Sequence, residues 1–179
     1  ADAIVMVHAD NQYDPALVGD MVEPILAGRA DMVIGSRLLE ARAIAGGMPR
    51  WKWLGNRLLT GIENRAFGVS FSEYHTGYRA FSRTVLTTLP LEENSDDFVF
   101  DNQMLCQALY FGFTIGEISC PAKYFPEASS IKLGASTRYG LGVLRTTFQY
   151  WLQRRGLARF EIYRRDGRRL AFAPPEGKE

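Results

Sequence analysis

The stretches that decide the fold are IVMVHADNQYDP at residues 4–15 and DMVIGSR at residues 31–37. The first four residues of the first stretch form a β-branched apolar run, which is typical of a buried strand of a parallel sheet. Asp14 and Pro15 then predict a helix start, with Asp14 as the N-cap and Pro15 at the first helical position. The second stretch predicts another buried strand. Strand, helix and strand in this order form a βαβ unit, so the sequence predicts an α/β fold.

The same criteria predict the remaining elements of the chain. Gly46-Gly47 and Pro49 indicate a loop over residues 37–50, and Asp166-Gly167 is a strong turn signal for a C-terminal β-hairpin. The other predicted elements are helices over 51–67, 82–89, 101–112 and 139–155, a strand over 114–119, and hairpin strands over 160–164 and 168–173. We therefore expect one main domain over residues 1–157, with a hairpin and tail over residues 158–179.

Composition is typical of a soluble globular domain, since 46% of the 179 residues are hydrophobic and 23% are charged. A net charge of +1 gives no electrostatic reason to expect a nucleic-acid partner. Residues 138–179, however, carry 10 Lys and Arg against 4 Asp and Glu. This basic end indicates either contact with anionic lipid or another polyanion, or a solvated face. Cys106 and Cys120 lack metal-site spacing, which favours a reducing, cytoplasmic location.

A first group of polar side chains follows the first predicted strand. His8, Asp10 and Gln12 alternate along the chain, so their side chains point to one side of an extended segment. Ligands bind at the carboxyl ends of strands in open α/β sheets. Imidazole, carboxylate and amide oxygen together suit Mn²⁺ or a similar cation. The alternative is a polar strand end in which Asp10 caps nearby amide groups.

Two further groups contain basic and aromatic side chains. Arg37 follows Gly-Ser at the end of the second predicted strand, where it would pair with a phosphate or lie on a surface turn. Residues 72–79, SEYHTGYR, combine an acid, an imidazole, hydroxyls and aromatic rings. This density fits a polar pocket with aromatic walls, such as a sugar site, and it equally fits a well hydrogen-bonded loop.

A fourth group of acidic side chains precedes the helix that is predicted from residue 101. Asp96 and Asp97 are adjacent, and either carboxylate would serve as a general base toward an acceptor hydroxyl. Helix capping and favourable placement at the helix dipole are the alternatives. For Asp101 we favour capping.

Taken in order, these motifs resemble glycosyltransferase family 2, in the branch similar to dolichyl-phosphate mannose synthase and other polyprenyl-phosphate glycosyltransferases. The resemblance spans roughly residues 1–155. The matching pieces are HADNQYDP at 8–15, GSR at 35–37, GNR at 55–57, HTGYRAF at 75–81, DDF at 96–98 and GF at 112–113. This family implies a GT-A fold, which is a Rossmann-like mixed sheet flanked by helices. It also implies inverting transfer of a sugar from a UDP- or GDP-sugar, assisted by Mn²⁺ or Mg²⁺.

The metal-binding motif of the family resembles Asp-x-Asp-x-Gln. In this sequence His8 stands at the first Asp position, whereas Asp10 and Gln12 match the motif. Histidine still ligates metals, but the exchange removes one negative charge. The resemblance therefore implies His8, Asp10 and Gln12 as metal ligands, with an altered affinity or metal preference.

The resemblance also assigns roles to residues outside the metal motif. It places Asp10, Arg37, His75 and Arg79 at the nucleotide-sugar donor. It places Asp97, beside Asp96, near the acidic position that acts as the base in many members. A phosphate acceptor would need no strong base, because it is already anionic.

Family members begin with a strand and a loop that hold the nucleotide base, and nothing similar precedes Ala1. We therefore expect this chain to be the C-terminal part of a catalytic domain, with an open sheet edge available for oligomer formation. The acceptor is expected to be a polyprenyl phosphate, a lipid or a glycan.

The predicted helix over 139–155 carries Leu141, Leu144, Phe148, Trp151 and Leu152 on one face. That face either packs on the sheet, which we favour, or contacts the cytoplasmic face of a membrane. Two alternative functions also remain at this stage. One is a nucleotidyltransferase built on a related sheet, and the other is a catalytically degenerate scaffold.

Overall fold

The computed structural model describes residues 1–8, 12–40, 43–44, 46–122 and 133–171, with only the backbone of Leu133. Asp10, part of the predicted 37–50 loop and the end of the predicted hairpin lie outside these ranges. The strands are β1 (Ala3–Met6), β2 (Met32–Ser36), β3 (Arg79–Ser82) and β4 (Ile115–Ser119). The helices are α1 (Val18–Leu26), α2 (Arg50–Phe67), α3 (Arg83–Thr88), α4 (Phe100–Phe111) and α5 (Leu133–Arg154), with 3₁₀ turns at Pro15–Leu17, Leu91–Glu93 and Glu161–Tyr163. The predicted helices and the strands over 4–7, 31–36 and 114–119 are confirmed.

The four described strands form one mixed sheet in the order β1-β3-β2-β4. β3 runs antiparallel to β1 and β2, whereas β2 and β4 are parallel. β1 and β2 therefore point the same way as the βαβ unit predicts, but β3 lies between them. The expectation of a buried parallel strand is wrong for β1, because its partner is antiparallel and Ile4 on it is 39% exposed. β3 was not predicted from the sequence, because Arg79 at its start extends a polar stretch.

Local signals set several helix ends. The Asp14 carboxylate accepts a hydrogen bond of 2.9 Å from the Ala16 amide, and Ser82 caps α3 through the Val85 amide. Gly112 ends α4 with a φ of +86°, a left-handed conformation that favours glycine. These ends confirm the cap predictions for Asp14 and Ser82 and the helix stop at Gly112.

Apolar side chains cover both faces of the sheet, so the fold has three layers. Met32 and Ile34 on β2 pack in one core with residues of α3 and α4. Val33, between them in sequence, faces the other core with Met21 and Ile25 of α1. This alternation follows from the two-residue period of a strand. All five residues of β2 are buried, as is typical of an inner strand of a sheet that is covered on both faces.

Helix α5 packs through a different face from the one expected. Its buried residues include Val143, Thr146, Thr147 and Tyr150, which face α2, α4 and the segment after α5. The predicted core stripe is turned outward, with Leu141 63%, Leu144 38% and Phe148 58% exposed. The expectation that this stripe packs in the core is therefore wrong. Small Gly142 lets the helix approach α4, because a Cβ built there would lie 3.2 Å from Val99 Cγ2.

The segment after α5 forms no hairpin within residues 158–171. A 3₁₀ turn occupies Glu161–Tyr163, and Ile162 and Tyr163 are buried. Gln107 Nε2 on α4 donates a 2.8 Å hydrogen bond to the Ile162 carbonyl. This carbonyl therefore bonds to a side chain of α4, whereas in a hairpin it would accept from the partner strand. The predicted turn does form, since the Gly167 amide donates to the Arg164 carbonyl. Within the described ranges, no helix combines the length and apolar character needed to cross a bilayer.

Candidate active site

A cavity of about 430 Å³ opens at the edge of the sheet where β1 and β2 end. The segment that leads into the antiparallel strand β3 reaches the same edge, so three chain segments converge there. The cavity is lined by His8, Gln12, Tyr13, Arg37, Met48, Trp51, Lys52, Gly55, Asn56, Leu59, His75, Thr76, Gly77, Arg79, Phe98, Asp101, Ser136, Thr137 and Tyr139. The structure therefore brings together the described members of three predicted groups, namely His8 and Gln12, Arg37, and His75 with Arg79.

Arg37 is held in a buried ion pair with Glu73. Its Nε donates to Glu73 Oε1 at 2.9 Å, its backbone amide donates to Oε2 at 2.8 Å, and Nη2 contacts Oε1 as well. Asn56 adds a 2.7 Å bond to the same carboxylate. Burial would raise the pKa of Glu73, but the Arg37 charge and these hydrogen bonds hold it below its usual range. Arg37 lies on the cavity wall, with Glu73 fixing its orientation.

Arg79 is fully buried and fixes the backbone around the cavity. Its Nε donates to the Thr76 carbonyl at 2.9 Å, and Nη2 donates to the Tyr74 carbonyl at 2.8 Å. Nη1 donates to the Asp101 carbonyl. Arg79 therefore ties the loop before β3 to the first turn of α4, which are two walls of the same cavity.

His75 connects the buried carboxyl group of Glu63 to Tyr139. His75 Nε2 lies 3.3 Å from Glu63 Oε2, and Nδ1 lies 3.0 Å from the Tyr139 hydroxyl. Asn102 Nδ2 donates to Glu63 Oε1 at 2.6 Å. Burial raises the pKa of Glu63 to about 8 and lowers the pKa of His75 to about 3. Both groups therefore favour their neutral forms, and burial raises the pKa of Tyr139 as well.

His8 and Gln12 supply part of a metal-ligand set. Both line the cavity beyond the end of β1, and an imidazole nitrogen and an amide oxygen suit Mn²⁺ and similar cations. The His8 ring lies against Gly77 and meets Tyr13 edge-on at 6.3 Å. Within the described ranges, no cluster of three His, Cys, Asp or Glu side chains suits a metal. His8 and Gln12 fit a divalent ion as partial ligands, and Asp10 remains a predicted third ligand outside the described residues.

Among the described residues that line the cavity, the acidic one is Asp101. It is the second residue of α4, whose N-cap is Val99 without a side-chain cap, so the capping interpretation of Asp101 is wrong. Asp97 is 51% exposed, lies 3.9 Å from Arg138 and lines a separate cavity of about 340 Å³. Asp96 is exposed and lines neither of these cavities. The catalytic assignment of Asp96 and Asp97 stays a prediction.

Five further residues at or behind the cavity were not predicted as functional from the sequence. Trp51 and Lys52 lie in the first turn of α2, where Lys52 Nζ is 5.5 Å from the Trp51 ring centre. Burial, followed by the Arg37 charge, lowers the pKa of Lys52. The WKW sequence at 51–53 was an available signal for a basic and aromatic wall. Asp101 was considered only as a cap, and Glu63 and Tyr139 carried no local pattern that sets them apart.

The fold is that of GT-A glycosyltransferases. Glucosyl-3-phosphoglycerate synthase from Mycobacterium tuberculosis, solved with Mn²⁺, UDP-glucose and phosphoglyceric acid, superposes with a TM-score of 0.56 at 19% identity. The match covers 89% of this chain and 51% of that one. Residues 1–89 match the model of glycosyl transferase family 2, and the chain belongs to that family. The family match favours the glycosyltransferase interpretation over the nucleotidyltransferase alternative.

Two curated relatives come from archaea. The chain is 34% identical over 108 residues to the low-salt glycan biosynthesis hexosyltransferase Agl6 of Haloferax volcanii, which is 60% of this chain and 25% of that protein. It is 27% identical over 143 residues to the UDP-N-acetylglucosamine–dolichyl-phosphate N-acetylglucosaminyltransferase of Methanococcus voltae, covering 80% of this chain and 56% of that protein. The chain thus spans between a quarter and just over half of the length of these relatives.

Proposed function

We propose that this chain forms part of an inverting glycosyltransferase that moves a hexosyl group from a UDP- or GDP-sugar to a lipid phosphate, a lipid or a glycan. One observation carries the proposal: His8 and Gln12, from the segment after β1, and Asp101, from α4, line a single cavity. Such a cavity offers ligands for a cation and a carboxylate for proton transfer. The similarity to a transferase whose name specifies UDP-N-acetylglucosamine and dolichyl phosphate supports the substrate classes.

The cavity residues divide the chemistry between the two ends of the donor. Lys52 and Arg37 face the space where a diphosphate would bind, and Trp51 and Phe98 offer aromatic surface to a sugar ring. An acceptor oxygen forms its bond to the anomeric carbon while the bond from that carbon to the diphosphate oxygen breaks. The diphosphate leaves with the bonding electron pair. A hydroxyl acceptor gives its proton to Asp101, whereas a phosphate acceptor has none to give.

A divalent cation, Mn²⁺ or Mg²⁺, would neutralise the charge of the leaving diphosphate. His8 and Gln12 would hold it, together with Asp10. The solved structure of the fold relative with Mn²⁺ and UDP-glucose supports this cofactor class. The imidazole of His8 in place of a carboxylate would favour metals that accept nitrogen ligands, such as Mn²⁺, over Mg²⁺.

Thermal unfolding with ligands tests the proposal on the chain itself. We expect Mn²⁺ with either UDP or GDP to raise the melting temperature, since a ligand at a hundredfold excess over its dissociation constant adds about 2.7 kcal/mol. Asp10→Ala should abolish the shift, and Asp20→Ala, an exposed acid on α1, should keep it. Absence of a shift with every nucleotide and metal, both here and in the chain extended upstream, would favour the degenerate scaffold instead.

We also propose that the exposed face of α5 contacts a membrane that carries the lipid acceptor. Leu141, Leu144 and Phe148 are exposed on this helix, and Phe148 stacks on Trp151 at 6.0 Å. Exposed arginines of the same helix and its end, at 138, 145, 154 and 155, provide charge that complements anionic lipid. A helix with an apolar face and arginines beside it is typical of interfacial binding.

A further inference from the structure

A chain of buried polar groups runs from α4 to the cavity. It passes from Asn102 through Glu63 on α2 and His75 before β3 to Tyr139 on α5, with the separations given above. The Glu63 and His75 side chains are 0% and 7% exposed. His75 and Tyr139 both line the cavity, whereas Glu63 lies behind them. Four elements of the fold therefore converge on one line of hydrogen-bonding atoms.

The atoms that face each other in this chain require a shared proton. Within the described residues, Glu63 Oε2 and His75 Nε2 have no other hydrogen-bond partner, although both are buried. Two lone pairs facing each other at 3.3 Å would leave both groups unsatisfied, at a cost comparable to a lost hydrogen bond. One proton between Oε2 and Nε2 satisfies both atoms.

Whether Glu63 or His75 carries that proton decides which group donates and which accepts in each of the following hydrogen bonds. If Glu63 carries it, Oε2–H donates to Nε2, and the neutral imidazole has its own proton on Nδ1. Nδ1–H then donates to the Tyr139 oxygen, which leaves the Tyr139 O–H to donate elsewhere. If Nε2 carries the proton, Nδ1 accepts from Tyr139 instead. The hydroxyl proton is then used inside the protein.

The environment of these hydrogen-bonded groups favours the arrangement in which Glu63 carries the proton. Glu73, Arg37 and Arg79 are the charged groups that act on His75, and Arg79 acts on Glu63. Arg37 is already paired with Glu73, and Arg79 is held by three backbone carbonyls. Burial outweighs their combined effect, so the pKa of Glu63 lies above and that of His75 below its ordinary value. A protonated Glu63 beside a neutral His75 follows.

We propose that Glu63, acting through His75, holds the Tyr139 hydroxyl as a hydrogen-bond donor toward the cavity, where it binds an oxygen of the nucleotide-sugar. Tyr139 is then a ligand-binding residue, and Glu63 and His75 are positioning residues. The ligand part of this inference rests on the proposed function. The direction of the hydrogen bonds does not rest on it, because that direction is a property of the protein without ligand.

Nitrogen-15 NMR of the histidine side chains tests the direction without any ligand. The sequence has two histidines, so a His8→Asn variant assigns both rings. We expect a neutral His75 with its proton on Nδ1 from pH 5 to 7, where Glu63, with a pKa of about 8, keeps its proton. Glu63→Gln should keep this tautomer, since its amide can accept from Asn102 and donate to Nε2. A proton on Nε2, or an imidazolium in this range, would overturn the proposal.

Affinity for the nucleotide-sugar tests the role of Tyr139, with UDP- and GDP-sugars and Mn²⁺ as probes. Tyr139→Phe should weaken binding by about 2- to 10-fold, the range of one net hydrogen bond. Tyr110→Phe is the matched control, because its hydroxyl accepts from Gln153 on another part of the fold. Glu63→Gln should retain affinity, whereas Glu63→Leu should lose as much as Tyr139→Phe when each variant is measured well below its own melting temperature.

The two measurements separate the inference from the proposed function. An unchanged affinity in Tyr139→Phe would overturn the ligand role of this hydroxyl. Failure of the unsubstituted chain to bind every nucleotide-sugar would overturn the proposed function and that ligand role together. The tautomer of His75 is decided in either case by the NMR spectrum.

Discussion

The imidazole ring of His8 lies directly against Gly77, so that a Cβ atom built on Gly77 would fall 2.3 Å from His8 Cε1 and 2.6 Å from Nε2. Any side chain at position 77 therefore displaces the ring. We predict that Gly77→Ala lowers the Mn²⁺-dependent rise in melting temperature. Stability without metal should change by less than about 1 kcal/mol, because His8 is exposed and its ring can rotate away.

Gly55→Ala provides the matched control for this substitution. Gly55 lines the same cavity, but a Cβ built there meets no atom within 4 Å. It lies inside α2, where alanine should stabilise the helix by up to about 1 kcal/mol. An equal loss of metal response in both variants would show that the contact between His8 and Gly77 is not the cause.

Asp101 should be the acidic residue that matters most for turnover with a hydroxyl acceptor. We predict that Asp101→Asn lowers kcat by about 10²- to 10⁴-fold, the usual contribution of a general base. The fold should be retained, because the Asp101 carboxylate does not cap α4. The same exchange at Asp97 tests the competing assignment, and a larger loss there would move the base to Asp97. The kcat values should be measured on a form of the protein that transfers sugar, with Asp20→Asn as the surface control.

The ion pair of Arg37 and Glu73 should make a large contribution to stability when one partner is removed. We predict that Glu73→Ala destabilises the fold by about 3–5 kcal/mol, because Arg37 would keep a nearly buried charge without its carboxylate. Urea unfolding at neutral pH measures this loss. The double variant Arg37→Met/Glu73→Leu should recover much of it. Additive losses in the double variant would contradict the pairing.

The shifted groups predict a specific dependence of stability on pH. The pKa of Glu63 is raised to about 8, so its contribution is fully present below about pH 4.5 and is lost as pH rises toward 8. The pKa of His75 is lowered to about 3, so its contribution is present above pH 6.5 and is lost as pH falls toward 3. Between pH 4.5 and 6.5 the two effects oppose each other, because the folded and unfolded states bind the same number of protons at this pair.

Above pH 6.5 only the Glu63 effect remains. We therefore predict that the free energy of unfolding declines from pH 6.5 to 8, by at most about 1.4 kcal/mol per pH unit for one proton. Glu63→Gln, which cannot lose a proton, should remove this decline. Denaturant unfolding at several pH values measures both proteins. A parallel decline in Glu63→Gln would place its origin in another group.

The exposed face of α5 should bind vesicles that contain anionic lipid. We predict that Leu141→Ser/Phe148→Ser weakens sedimentation with phosphatidylserine vesicles by about tenfold or more, because each buried apolar side chain contributes about 1.5–3 kcal/mol. Added salt should weaken the binding of the unsubstituted chain. Leu26→Ser is the control, since Leu26 is 66% exposed on α1. Equal binding by all three proteins would exclude this face as the contact.

Short-range patterns were sufficient for most elements of the fold. The caps at Asp14 and Ser82 and the apolar runs of β1, β2 and β4 depend on neighbours within a few residues, and each was predicted. β3 was missed because Arg79 is buried with help from the Asp101 carbonyl on α4, a partner that lies 22 residues further along the chain. The 3₁₀ turn at Glu161–Tyr163 was missed for a similar reason, since its packing partners are on α4 and α5.

Sequence by itself determined the βαβ unit and the group of residues at the ends of its strands, because strand period and cap chemistry are local properties. Tertiary structure alone decided which polar side chains meet. Asp101 reaches the cavity and Asp97 does not, because α4 begins between them and turns their carboxylates in different directions. Glu63 and His75 face each other because α2 packs beside the segment before β3. The protonation of such a buried pair depends on desolvation by the whole core, which no local pattern encodes.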